Sequence, residues 1–169
     1  MLRRMASAIA TATVADLERH PGRCELIDGE IVTMSPTSFD HGEVEIEIGI
    51  LLRLYVRQSG CGGRICSGEV GFQLDDANVR APDVAYLGPE RAARLASRGF
   101  SRVVPDLVVE VLSPDDTYSE VRDKARMWLD HGVRLVWIAD PRTRSVDIYQ
   151  RDGTALGRQG DDRIDGGDV

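Results

Sequence analysis

Residues 105–114 read Pro-Asp-Leu-Val-Val-Glu-Val-Leu-Ser-Pro. The inner run, 107–112, is apolar except for Glu110 and rich in valine. Proline-containing turn signals close it on both sides, so it reads as a short buried strand. Working backward, residues 79–87 (VRAPDVAYL) give a second such strand, carrying Asp83, with a strand over 67–74 that forms a hairpin with it. Working forward, residues 119–131 (SEVRDKARMWLDH) read as a helix with Ser119 as N-cap and Gly132 just past its end. Strands over 134–139 and 145–150 follow. Earlier in the chain a helix is expected over 41–58, and a β-hairpin over 24–34 turns on Asp28-Gly29, the strongest short-range hairpin signal here. The sum is an α/β sandwich: a mixed central β-sheet flanked by helices, plus an N-terminal β-hairpin.

Asp83 and Glu110 are out of place in buried strands, because an unpartnered buried carboxylate is costly. Each can be explained by an ion pair, with Arg80 or Arg102 as candidates, or by a position at an exposed strand end. A shared divalent cation explains both at once, and such a cation beside a phosphodiester can supply a reactive water. On the helix over 119–131, Val121, Ala125, Trp128 and Leu129 form one apolar stripe with Lys124 at its edge. Lys124 therefore borders the sheet, either as a catalytic ammonium or as a snorkelling side chain. Arg122 and Arg126 point across the stripe toward solvent.

These residues belong to an ordered series: Cys24-Glu25-Leu26-Ile27-Asp28-Gly29-Glu30-Ile31-Val32, Met34-Ser35-Pro36, His41, Ala81-Pro82-Asp83-Val84-Ala85, residues 105–114, Lys124, Gly132-Val133 and Trp137-Ile138-Ala139-Asp140-Pro141. The series resembles the PD-(D/E)xK nuclease superfamily, and within it the Uma-two family of putative restriction endonucleases. It departs from the superfamily motif at Leu112, where a lysine is usual; the family resemblance places that lysine on the following helix, at Lys124. The resemblance implies that Asp83 and Glu110, with the backbone carbonyl of Val111, ligate Mg2+ or Mn2+, and that Lys124 orients the attacking water or steadies the transition state. It adds His41 as a further catalytic candidate. His41 and Glu45 are one turn apart at the start of their helix and can equally be ordinary first-turn residues. Glu30 and Glu69 are further carboxylates in strand-like contexts whose side is left open. Removal of Asp83 or Glu110 is expected to leave the fold intact or more stable, since two repelling carboxylates become one.

At 169 residues the chain is long enough for one domain with its own core. A nuclease domain is expected over 14–150, with loosely ordered tails at 1–13 and 151–169. The start of the chain only faintly suggests a signal peptide, and no segment is apolar enough to span a bilayer. Three cysteines without CxxC spacing point to reduced thiols in the cytoplasm. The spacings of these cysteines and the histidines match no common zinc pattern. A net charge of −7 argues against nonspecific coating of DNA. It leaves room for a nuclease whose metal and a local strip of Arg122, Arg126, Arg134 and Arg102 offset the acidity.

Two functions compete. One is a metal-dependent endonuclease that hydrolyses DNA phosphodiester bonds; the other is a catalytically inactive domain of the same fold that binds nucleic acid or oligomerises. Intact Asp83, Glu110 and Lys124 favour the first. A homodimer is expected, since cutting both strands needs two sites, with Leu51, Leu54 and Tyr55 available to a partner.

Overall fold

The computed structural model describes residues 11–114, 116–164, 166–167 and 169. The chain opens with α1 (Val14–Arg19), whose N-cap Thr13 forms a reciprocal capping box with Asp16. Strands β1 (Cys24–Ile27) and β2 (Glu30–Thr33) follow. Their register pairs Ile27 with Glu30, and Asp28 and Gly29 both take positive φ, 50° and 78°, as a two-residue primed turn requires. Helix α2 (Phe39–Ser59) starts on the Ser38 cap and ends at left-handed Gly60. Residues 1–10, expected as part of a loose tail with a faint signal-peptide character, lie outside the described residues.

The strand expected over 67–74 is two strands, β3 (Arg64–Ser67) and β4 (Phe72–Gln73), and the one expected over 79–87 is also two, β5 (Val79–Arg80) and β6 (Val84–Leu87). Each half joins a different sheet: β4 pairs with β5, and β3 with β6. The hairpin is thus real, but it is torn across its middle. Pro82, which has no N–H to donate to a ladder, lies at the tear, and Asp83 follows it. The small sheet has the order β2-β1-β5-β4 and is antiparallel throughout.

After the short α3 (Pro89–Ala92) come β7 (Leu107–Val111), α4 (Tyr118–Asp130), β8 (Leu135–Asp140), β9 (Ser145–Gln150) and β10 (Ala155–Gln159). The main sheet is mixed, in the order β10-β9-β8-β7-β6-β3. Its parallel pair is β7–β8, joined by α4 as a crossover, the connection that a parallel pair needs. The cap of α4 is Thr117, not Ser119: the Thr117 hydroxyl accepts from Glu120 N–H, and Glu120 returns a bond to Thr117 N–H. The segment expected as a loose C-terminal tail carries β10, paired with β9 along its whole length.

Strand alternation divides the core between the two faces of the main sheet. Val108, Val136 and Ile138 pack with Val121, Ala125 and Trp128 of α4. Leu107, Val109, Leu135 and Trp137 pack with Val56, Leu52 and Ile48 of α2. Glu110 has the parity of Val108, so its side chain turns toward α4, and the N-terminal end of α2 reaches the same end of β7. Among the described residues no helix is long and apolar enough to cross a membrane.

Candidate active site

Asp83 is held by the strand that follows it in the sheet. Its Oδ2 accepts the Val111 N–H at 2.7 Å, and its Oδ1 lies 3.3 Å from His41 Nε2. The parallel ladder explains why Val111 is available. Leu112 N–H donates to Ala139 across the β7–β8 register, which turns Val111's own N–H and carbonyl toward the Asp83 side. Burial pushes the Asp83 carboxyl upward, but the His41 ring, the Val111 N–H and the charge of Lys124 outweigh it and hold the group below its ordinary value.

Glu110 has the opposite balance. It is 3% exposed; Oε1 accepts the indole N–H of Trp128 at 2.7 Å, and Oε2 lies 2.7 Å from Lys124 Nζ. Burial, reinforced by the negative charge of Asp83, nevertheless pushes Glu110 up to about 7 against the pull of Lys124 and Trp128. For Lys124, burial works to lower the ammonium, but Glu110 first, then Asp83 and Glu25, more than reverse this and hold it above its ordinary value. One half-buried lysine thus faces three carboxylates. It is the only lysine in the chain, a compositional signal that picks it out from the many arginines.

His41 is buried on the inner face of α2. The bond toward Asp83 raises its pKa despite burial, and its Nδ1 lies 3.5 Å from Ser113 Oγ. Glu45, one turn on, reaches back to the Gly68 N–H at 3.4 Å. One ligand atom each from His41, Glu45 and Asp83 lie within 4.8 Å of one another. His41 Nε2 and Glu110 Oε2 are both buried without a well-directed hydrogen bond. Carboxylate oxygens and one imidazole gathered at one end of the sheet are a donor set that fits a hard divalent cation such as magnesium or manganese.

The arginines proposed as partners for these acids are engaged elsewhere. Arg80 Nε lies 2.9 Å from Glu25, whose other oxygen accepts the Ala81 N–H at 2.7 Å, and Arg102 donates to Gln73. Neither neutralises Asp83 or Glu110. Arg134 stands at the start of β8 beside Asp106, at the opposite end of the sheet from Glu110, so the expected basic strip does not run through the site. Arg122 is over the ring of Tyr118 on the outer face of α4. Arg23, unmarked by sequence reasoning, comes closer: it donates to Gly68 O at 3.0 Å, on the residue that also contacts Glu45. Glu69 is largely exposed in the β3–β4 connection and Glu30 is exposed on β2. The side-chain roles of Trp128 and Glu25 were not foreseen, because an apolar stripe hides one and a hairpin strand the other. Cys24, Cys61 and Cys66 are all free thiols.

No curated protein matches the chain in sequence. Among solved structures, the fold is similar to that of a putative nuclease belonging to DUF820 from Anabaena variabilis ATCC 29413. That similarity has a TM-score of 0.72 at 20% identity and covers 90% of this chain and 87% of the other. At that identity the likeness speaks for the fold. The model of the Uma2 family, described as a putative restriction endonuclease, matches residues 12–165. The chain belongs to the Uma2 family of putative restriction endonucleases.

Proposed function

We propose that this protein is a metal-dependent endodeoxyribonuclease whose site is built from Asp83, Glu110, Lys124 and His41. The observation that carries the reading is a pair of buried carboxylates at the β6 and β7 ends that no arginine neutralises, beside a half-buried lysine and an imidazole 3.3 Å from Asp83. Asp83, Glu110 and the Val111 carbonyl would hold Mg2+ or Mn2+, with His41 and Glu45 offering further ligands from α2. The bound ion would supply Lewis acidity to a water and to the scissile phosphate. The Val111 N–H keeps Asp83 aimed at the site, and Trp128 keeps Glu110 from rotating. Lys124 Nζ donates to the attacking water or to a phosphate oxygen, stabilising charge that grows as the new oxygen–phosphorus bond forms and the ester bond breaks in line. DNA is the proposed substrate, a homodimer the proposed working form, and the cytoplasm, whose reducing state suits three free thiols, the proposed location.

The test is incubation of the full chain with supercoiled plasmid and manganese, alongside Asp83→Ala and Glu110→Ala. Nicking by the parent and by neither variant supports the site. Nicking retained by either variant overturns it, and a parent that binds metal calorimetrically without cutting returns the inactive-module alternative.

A further inference from the structure

Gly68 stands between an arginine and the acids of the site. Its N–H donates to Glu45 Oε1 at 3.4 Å, and its carbonyl accepts from Arg23 Nη2 at 3.0 Å. A Cβ at this position would meet Arg23 Nη2 at 2.8 Å and, at 3.6 Å each, the Asp83 backbone and Glu45 Oε1. A single residue therefore separates the guanidinium from Asp83 and Glu45. Arg23 is fixed there at both ends, because its own carbonyl accepts the Met34 N–H beside the β1–β2 pair and its Nη2 is tied to Gly68.

What Arg23 lacks is a close anion. Arg91, which serves the fold, engages all three of its nitrogens, with the Val104, Pro105 and Gly132 carbonyls and with Asp106. Arg23 engages one of its three well. Its Nε is buried with no acceptor among the described residues, and Nη1 lies 3.9 Å from Glu69 Oε1. That pair contributes little, since it is long and the Glu69 side chain is 78% exposed to screening water. A buried N–H without an acceptor is costly, so the fold alone accounts poorly for this guanidinium. Its side chain is 35% exposed and borders a cavity of about 250 Å³ between α1, the small sheet and the β3–β4 connection.

The other cations around the acids are engaged. Lys124 meets Glu110, Arg80 meets Glu25, Arg102 donates to Gln73 and Arg134 stands beside Asp106. A polyanionic strand needs a cation that has no firm partner. We propose that Arg23 binds the DNA phosphate next to the scissile one, through the Nη1 side of its guanidinium. A strand whose scissile phosphate rests on the Asp83 and Glu110 site carries its neighbouring phosphate past Gly68 to Arg23, and the exposed Glu69 carboxylate yields its place. This contact exists before the reaction and throughout it, so it acts on affinity rather than on the chemical step. The inference rests on the nuclease reading and adds to it the group that sets the strand on the acids.

The test is binding of a short labelled DNA duplex to the full chain, read by fluorescence anisotropy with calcium as the ion and with the duplex checked for integrity afterwards. Arg23→Gln should weaken binding about tenfold. It should also make the slope of log K against log salt shallower by about 0.9, the share of one phosphate contact. Arg23→Lys, which keeps the charge, should keep the parent's slope. In plasmid nicking with manganese, Arg23→Gln should raise KM and leave kcat within about twofold. A purely structural arginine would lower the melting temperature on replacement and leave the salt slope at the parent value. That result, a lost slope in Arg23→Lys, or a fall in kcat at unchanged KM would overturn the phosphate contact and leave the Asp83→Ala and Glu110→Ala test standing. A parent that binds no DNA would defeat the contact and the nuclease reading together.

Discussion

The chain uses the dipeptide Pro-Asp at the edge of a strand twice, and the two copies have different fates. Asp106, at the start of β7, accepts the Gly88 N–H at 2.8 Å, meets Arg91 Nε at 3.1 Å and lies 3.8 Å from Arg134. Arg91 also ties down the Val104, Pro105 and Gly132 carbonyls. Asp83, near the other end of the same strand, also accepts a backbone N–H, but its charged neighbours are a histidine and a lysine. Arginine is a permanent cation in a planar fork, and two of them close a carboxylate for good. Imidazole can lose its proton and become a ligand, and a flexible ammonium can swing aside. The closed end therefore serves the fold, and the open end is available to an exchangeable cation.

The comparison predicts that damage at the two ends will be of different kinds. Asp106→Ala should strip the partner from Arg91 and cost about 3 kcal/mol of stability, the low end for a broken buried pair because Arg134 reaches solvent. Chemical denaturation would measure this; a loss under 1 kcal/mol would remove the distinction between the ends. Lys124→Met, at the open end, should leave metal affinity in place and lower turnover by a factor of about a hundred. Unchanged turnover would return Lys124 to a snorkelling role.

The two acids of the open end should themselves separate by pH in the metal-free protein. Glu110 has a folded pKa raised to about 7 from 4.5. Its unfavourable ionisation is absent below pH 4.5 and grows as pH rises through about 7. Glu110→Gln should thus stabilise the protein at pH 8 by up to about 2–3 kcal/mol and do little at pH 4.5. Asp83 has a depressed folded pKa, so its contribution is present above pH 3.8 and fades as pH falls through the folded value. Asp83→Ala leaves the buried Val111 N–H without its acceptor and should cost about 1–3 kcal/mol at neutral pH. This revises the expectation that loss of either acid is harmless to the fold. Melting curves of both variants at the two pH values would decide it; matching trends would sink the contrast. The smallest effect is expected at Thr117→Ala, which removes the cap of the helix carrying Lys124 and should cost about 1 kcal/mol.

Local sequence determined the elements whose signals are local. The Asp28-Gly29 turn, the α2 and α4 helices, the β7 strand and the apolar stripe ending in Trp128 each depend on neighbours within a few residues, where periodicity and backbone preference act. The ordered series of motifs also marks Asp83, Glu110, Lys124 and His41. Only the tertiary structure decided that Pro82 divides one apparent strand between two sheets, and that β10 extends the sheet beyond Gln150. It also decided that Glu45 faces Asp83 while Glu69 faces water, and that Arg80 and Arg102 answer to Glu25 and Gln73 rather than to the two acids. These choices turn on which distant residues share a few ångströms, through strand order and register. Burial and charge compensation operate across that space, and spacing along the chain does not encode them.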